Sequence, residues 1–191
     1  LAQSLNNLYN NKKYIMPNRP SKIEYYMKIA GEVASRSTCY RAKHGAIIVK
    51  DDQIISTGYL GAPRKTSDCW ERGQCLREAL NIPHGQRYEL CRSVHAEQNA
   101  IINAARAGVS LLGATMYLYS TVIRDGQEQP QDAYPCFVCK KMIINAGLKQ
   151  LVSRQADGHF KVYEISEWVK DWQEQDMLDD TEQYGLAINK Q

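Results

Sequence analysis

His95 and the pair Cys136 and Cys139 stand far apart in the chain, yet each lies where a helix is about to begin. Val94-His95-Ala96-Glu97 leads into a helix expected over residues 95–107, and Pro135-Cys136-Phe137-Val138-Cys139 leads into one expected over residues 136–146. The two cysteines are spaced to share one helical face, and Pro135 suits a first turn because the N–H it lacks would be an orphan donor there. A helix start carries positive partial charge, which favours thiolate, the form of cysteine that binds metal. Both sulfurs can therefore reach one ion, and His95 brings the set to three protein ligands. A chain that uses this set has to fold so that two helix starts meet.

Three ligands leave the fourth tetrahedral position of a zinc ion open to water, the catalytic rather than the structural arrangement. Glu97, in the same first turn as His95, is placed to take a proton from that water and deliver it to a leaving group. Taken singly, the histidine reads as a satisfied core residue, the glutamate as a dipole-stabilising carboxylate and C-x-x-C as a redox pair. Their joint occurrence at two helix starts favours a catalytic zinc site.

The surrounding pattern supplies a scaffold. Ile23, Tyr26, Met27, Ala30, Val33 and Ala34 repeat at helical spacing over residues 22–37, and the branched runs 45–49 and 54–57 around Lys50-Asp51-Asp52 predict a strand hairpin. After residue 94 helices and strands alternate, with strands expected over 115–119 and 150–153, so the class is α/β with a mixed sheet covered on both faces. Val162, Ile165, Trp168, Val169 and Trp172 predict a last amphipathic helix. The expected organisation is an arm over 1–21, a domain over 22–155 with an insertion at 61–93, and a C-terminal acidic helix within 156–191 packed on the same domain. The insertion carries three cysteines and no sustained period, and a connection of that length has to be functional or pinned.

At 191 residues with 43% hydrophobic and 24% charged residues, the chain has the make-up of one soluble globular domain, which excludes disorder, collagen and coiled-coil repeats. No apolar run approaches a membrane span and the first ten residues lack a signal-peptide shape, so the reading is a cytoplasmic protein whose cysteines are thiols or metal ligands. The net charge of +3 is uneven: residues 162–183 hold eight acidic residues and Lys170 alone as base, which leaves the remainder at +10. A basic body suits an anionic ligand such as a nucleotide phosphate, and equally a solvated surface.

H-x-E followed by P-C-x-x-C is the signature of zinc-dependent deaminases. With Gly58-Tyr59-Leu60-Gly61-Ala62-Pro63, His95-Ala96-Glu97-Gln98-Asn99-Ala100, and Ile143-Ile144-Asn145-Ala146-Gly147 after the cysteine pair, the chain over about residues 22–155 resembles the cytidine and deoxycytidylate deaminase superfamily, its dCMP deaminases in particular. The resemblance implies a three-layer α/β/α sandwich with a five-stranded mixed sheet, homo-oligomers that are often hexamers, and hydrolytic deamination of a free pyrimidine nucleotide, dCMP to dUMP. It places zinc on His95, Cys136 and Cys139, gives Glu97 the proton shuttle, and sets Leu60, Gly61, Ala96 and Tyr134 around the substrate. Leu60 departs from the family, which has an asparagine there to bond the sugar; leucine has neither donor nor acceptor.

Cys39, Cys69, Cys75 and Cys91 make the inventory of a closed structural zinc site, which the resemblance extends to a second zinc in the inserted loop. Ordinary buried thiols, or His84 in place of one cysteine, are the alternatives. Arg41, Lys43, Arg64 and Lys65 are phosphate candidates, against a reading as solvated charge, and His44 and His159 read as structural or solvated. Two other functions compete: a deaminase acting on tRNA or single-stranded DNA, disfavoured by the absence of a stacking platform or long basic stripe, and a zinc-stabilised nucleotide-binding protein without turnover, for which Glu97 has no use.

Overall fold

In the computed structural model, which describes residues 19–83 and 86–174, Ser21 opens helix α1 (Lys22–Ala34) with a reciprocal cap. Its hydroxyl accepts from the Glu24 amide at 3.2 Å, and the Glu24 carboxylate accepts from the Ser21 amide at 2.7 Å. Most of the expected N-terminal arm, His84, and the acidic residues Asp176, Asp179, Asp180 and Glu182 lie outside the described residues.

The expected hairpin is present as β1 (Ala42–Lys50) and β2 (Gln53–Tyr59). Asp51 and Asp52 take φ values of 48° and 64°, the left-handed pair that a two-residue hairpin turn requires. The inserted loop contains two four-residue helices, α2 (Cys69–Arg72) and α3 (Leu76–Ala79), and a 3-10 turn at Tyr88–Leu90. There follow α4 (Ala96–Arg106), β3 (Thr115–Arg124), β4 (Gln127–Pro130), α5 (Phe137–Asn145), β5 (Gln150–Arg154), β6 (Phe160–Glu164) and α6 (Ile165–Glu174). Among the described residues no helix is long and apolar enough to cross a membrane.

The strands form one mixed sheet in the order β2-β1-β3-β5-β6, with β4 paired to β3. Only β3 and β5 run parallel. Six strands therefore replace the five expected. The extra one is a short exposed ribbon that returns from β3 through Asp125 and Gly126, both at positive φ. A second correction concerns Val162, assigned by periodicity to the last helix. It lies in β6 opposite Val152, while Tyr163 pairs with Leu151, and the helix begins at Ile165. Phe160–Glu164 is short enough that strand alternation and helical spacing share the same apolar positions, and pairing with β5 decides between them.

The two faces of the sheet carry separate cores. Ile47, Val49, Tyr117 and Val152 meet Tyr26, Met27 and Ala30 of α1. Ala46, Ile48, Met116, Leu118 and Leu151 meet Ala96, Ala100 and Ala104 of α4, Ile143 of α5, and Ile165 and Trp168 of α6. This is the three-layer α/β/α arrangement. Two glycines set its tightness: a Cβ on Gly45 would lie 2.1 Å from the Ala30 carbonyl oxygen, and one on Gly58 would lie 2.2 Å from the Ala100 nitrogen and 2.3 Å from the Ala96 oxygen. The backbone of α4 is thus pressed onto β2, which fixes where its N-terminus, and His95, must stand.

Candidate metal centre

His95 is the N-cap of α4, in an extended conformation, with its amide donating to the Gln98 side-chain oxygen at 3.1 Å. Cys136 is the N-cap of α5, so Pro135 precedes the cap instead of sitting in the first turn, and Cys139 follows inside that turn. The two helix starts meet. His95 Nδ1 lies 3.4 Å from both sulfurs, and one ligand atom from each of the three residues falls within 4.8 Å of the others. Zinc bound tetrahedrally at about 2.3 Å to sulfur and about 2.0–2.1 Å to nitrogen needs N···S edges near the 3.4 Å seen, so the donor set fits the ion in chemistry and in spacing.

The two thiols share one proton unequally. Cys139 donates to Cys136, and that bond, against the cost of burial and with help from His95, holds the Cys136 thiol down at about 4. The same shared proton, with burial, pushes the Cys139 thiol far above the ordinary range. Glu97 is buried, and burial raises its carboxyl above the usual carboxylate value while the nearby His95 opposes the shift. It also bonds the Cys139 side chain. A carboxyl that keeps its proton more readily than a free glutamate, touching a ligand sulfur without being one of the three clustered donors, is suited to holding and moving a proton.

His95, Glu97 and Cys136 line a cavity of about 230 Å³, and Cys139 lies buried behind them. Leu60 and Tyr134 line it, and Leu60 is packed against Cys39 and Ala42. Gly61 acts through its backbone, exchanging hydrogen bonds with Val94 at 2.8 and 3.2 Å and so tying the start of the inserted loop to the residue before His95. The Ala96 side chain is buried in the core under α4. Cys39, Cys69, Cys75 and Cys91, all free thiols, line the same cavity. Burial raises Cys39, and burial with the neighbouring thiols pushes Cys69 up to about 11. Among the described residues only the His95, Cys136 and Cys139 set closes to metal-ligand spacing; the other four thiols are gathered but wider apart.

The phosphate candidates divide. Arg41 lines the cavity, whereas Arg64 bonds Asn103 outside it and Lys43 pairs with Glu128 at 2.6 Å on the far face of the sheet. His159 pairs with Asp157 on an exposed turn, and His44 belongs to the cavity wall. Sequence reasoning passed over Arg77, which is 6% exposed and lines the cavity with its guanidinium 4.9 Å from the Tyr88 ring centroid. Nothing in a lone arginine two positions after Cys75 signals that burial.

Residues 20–155 match the family described as the cytidine and deoxycytidylate deaminase zinc-binding region. The chain belongs to that family. It is 35% identical over 139 residues to the deoxycytidylate deaminase of Mycobacterium phage D29, covering 70% of this chain and 94% of that one. It is 34% identical over 138 residues to the deoxycytidylate deaminase of Saccharomyces cerevisiae, covering 72% of this chain and 39% of the yeast protein. The chain thus spans about two fifths of the length of the yeast relatives it matches. The cytidine deaminase of Burkholderia pseudomallei, 15% identical, superposes with a TM-score of 0.51 over 75% of this chain and 93% of that one, a likeness of fold. The zinc-binding family and the His/Cys/Cys donor set agree on Zn2+ as the metal.

Proposed function

We propose that this deaminase-family chain hydrolyses dCMP to dUMP, the C4 amino group leaving as ammonia and water supplying the oxygen. The observation that carries the reading is the buried Glu97 beside the His95, Cys136 and Cys139 cluster on the wall of one cavity. A structural zinc site needs no carboxyl held in reserve; a hydrolytic one needs a group that accepts a proton and returns it to a departing amine. Bound at the three ligands, zinc would supply an electrophile and an activated water. Glu97 carries the protons, Tyr134 and Leu60 bound the substrate, and the Ala96 backbone and Gly61 fix the two chain segments between which it lies. The D29 relative, named a deoxycytidylate deaminase and covered almost end to end, supports the choice of nucleotide.

In the same reading Cys39, Cys69, Cys75 and Cys91 hold a second, structural zinc that pins the insertion at 61–93, and Arg41 faces the substrate phosphate. The domain runs over 22–155 with the acidic C-terminal helix packed on it, and the protein is a cytoplasmic homo-oligomer, a hexamer by family resemblance. The test is ammonia release from purified protein offered cytosine nucleosides, nucleotides and single-stranded oligomers. The reading expects dCMP to be turned over fastest; preference for an oligomer or for a nucleoside contradicts it.

A further inference from the structure

Lys140 follows the candidate ligand Cys139 in α5, yet its side chain is buried, with 3% exposed. A lysine is rarely buried without groups that receive its charge, because an ammonium taken out of water is costly. Here aromatic rings receive it. Nζ lies over the Tyr134 ring at 4.5 Å from the centroid and over the Trp168 ring at 5.4 Å. Tyr163 joins the two rings, its centroid 5.5 Å from that of Tyr134 and 5.8 Å from that of Trp168. A cation over a ring is attracted by the negative face of the π system, and burial strengthens the attraction.

This cage joins two parts of the molecule. Tyr134 is on the wall of the cavity beside His95 and Glu97, and Lys140 stands behind that wall. Tyr163 in β6 and Trp168 in α6 both lie beyond residues 20–155, the stretch that matches the deaminase zinc-binding region. The next lysine along α5 supplies a contrast. Lys141 makes the same kind of contact, over Phe137 at 4.2 Å and Trp172 at 5.6 Å, but it is exposed and neither of its rings lines the cavity.

We infer that Lys140 is a positioning residue: it holds the Tyr134 ring against α6 and so fixes the wall that bounds the substrate. The inference rests on the deaminase reading above and makes the C-terminal helix part of the support for the site. Two other roles for Lys140 predict different readouts. A lysine that only ties α6 to α5 would affect Tm and leave KM alone, and one that only offsets charge on the neighbouring Cys139 would affect zinc content.

The experiment measures kcat and KM on the cytosine compound that wild type turns over fastest, with zinc content and Tm, in wild type, Lys140→Met, Lys140→Arg and Lys141→Met. Lys140→Met keeps an unbranched apolar stem and removes the charge; KM should rise roughly tenfold while kcat and zinc content stay within about twofold. Lys140→Arg, a cation that also stacks on aromatic faces, should recover most of the loss. Lys141→Met should match wild type. On a Tyr134→Leu background Lys140→Met should add nothing to KM, since the lysine acts through that ring. A wild-type KM in Lys140→Met, the same rise on the Tyr134→Leu background, or zinc lost in step with activity overturns the inference. If Lys140→Met does not fold, Trp168→Phe takes its place, because phenylalanine holds a cation less well than tryptophan; KM should then rise about threefold, and a wild-type value overturns the inference. Wild-type protein that turns over no cytosine compound contradicts the deaminase reading itself, before any variant is considered.

Discussion

Cys136 and Cys139 stand at the start of a nine-residue helix wedged against the sheet, whereas Cys39, Cys69, Cys75 and Cys91 come from the approach to β1 and from a loop whose two helices have four residues each. The first set closes to ligand spacing on its own scaffold; the second gathers around the same cavity without closing. Its loop has little apolar anchoring, with Trp70, Leu76 and Leu80 about half exposed, Cys69 and Arg77 as the buried residues of its two helices and Cys75 buried at the cap of the second. The contrast separates a centre preorganised by helix starts from a loop with few apolar anchors of its own. The proposed function puts the chemistry at the first and the stability of the insertion at the second.

The sharpest break of that division is Glu97→Gln. Turnover of dCMP should fall by roughly 10²–10⁴-fold while zinc stays bound, since Glu97 handles protons and is not a ligand. Metal analysis beside an ammonia assay checks both halves, and loss of zinc together with activity would show the roles to be misassigned. Next in size is Cys75→Ser. Zinc should drop from two ions per chain to one and Tm should fall by roughly 5–10 °C, because a structural site lends its binding energy to folding. One zinc per chain in metal-replete wild type would return these four cysteines to ordinary thiols.

A smaller effect is expected at Leu60, where the cavity wall is apolar and the family has asparagine. Leu60→Asn should shift selectivity between dCMP and an analogue altered at the sugar hydroxyl by about 1–3 kcal/mol, with zinc content unchanged. An asparagine variant worse on both substrates would mean the wall is built around leucine. The smallest effect lies on the far face. Tyr26 donates to the Asp52 carboxylate at 2.7 Å, and burial first, then that bond, pushes its hydroxyl up to about 12. The unfolded chain ionises this group from its ordinary value of 10.0, so stability is complete below that pH and is lost as pH rises toward 12. Tyr26→Phe should flatten that alkaline loss and leave zinc content and turnover alone; a change in either would tie the α1 face to the site.

Much of this was legible in one dimension because the features are local. Helix starts at His95 and Cys136 announce themselves by residue type, and the β1–β2 hairpin by branched runs around two aspartates. The β4 ribbon had a signal that was passed over, the Asp125-Gly126 dipeptide of a tight hairpin turn. Val162 shows the limit of periodicity, since a five-residue strand running straight into a helix offers no turn between them. Arg77 shows a different limit. Its burial comes from Tyr88 and Pro83 folding over it, and no neighbour in sequence records that. The gathering of Cys39 and the three loop cysteines onto the wall shared with His95 is likewise a product of tertiary structure, in which the Gly61–Val94 bridge and the close seating of α4 on Gly58 hold the ends of the loop.

The central claim is that one metal held by His95, Cys136 and Cys139 is required for deamination. Turnover of dCMP followed through dUMP formation, before and after removal of metal by a chelator and again after adding Zn2+, tests it most directly. The account predicts loss of turnover on removal and its return with Zn2+, in wild type and not in Cys136→Ser. Turnover that persists in metal-free protein, or that Zn2+ restores equally in Cys136→Ser, would contradict it.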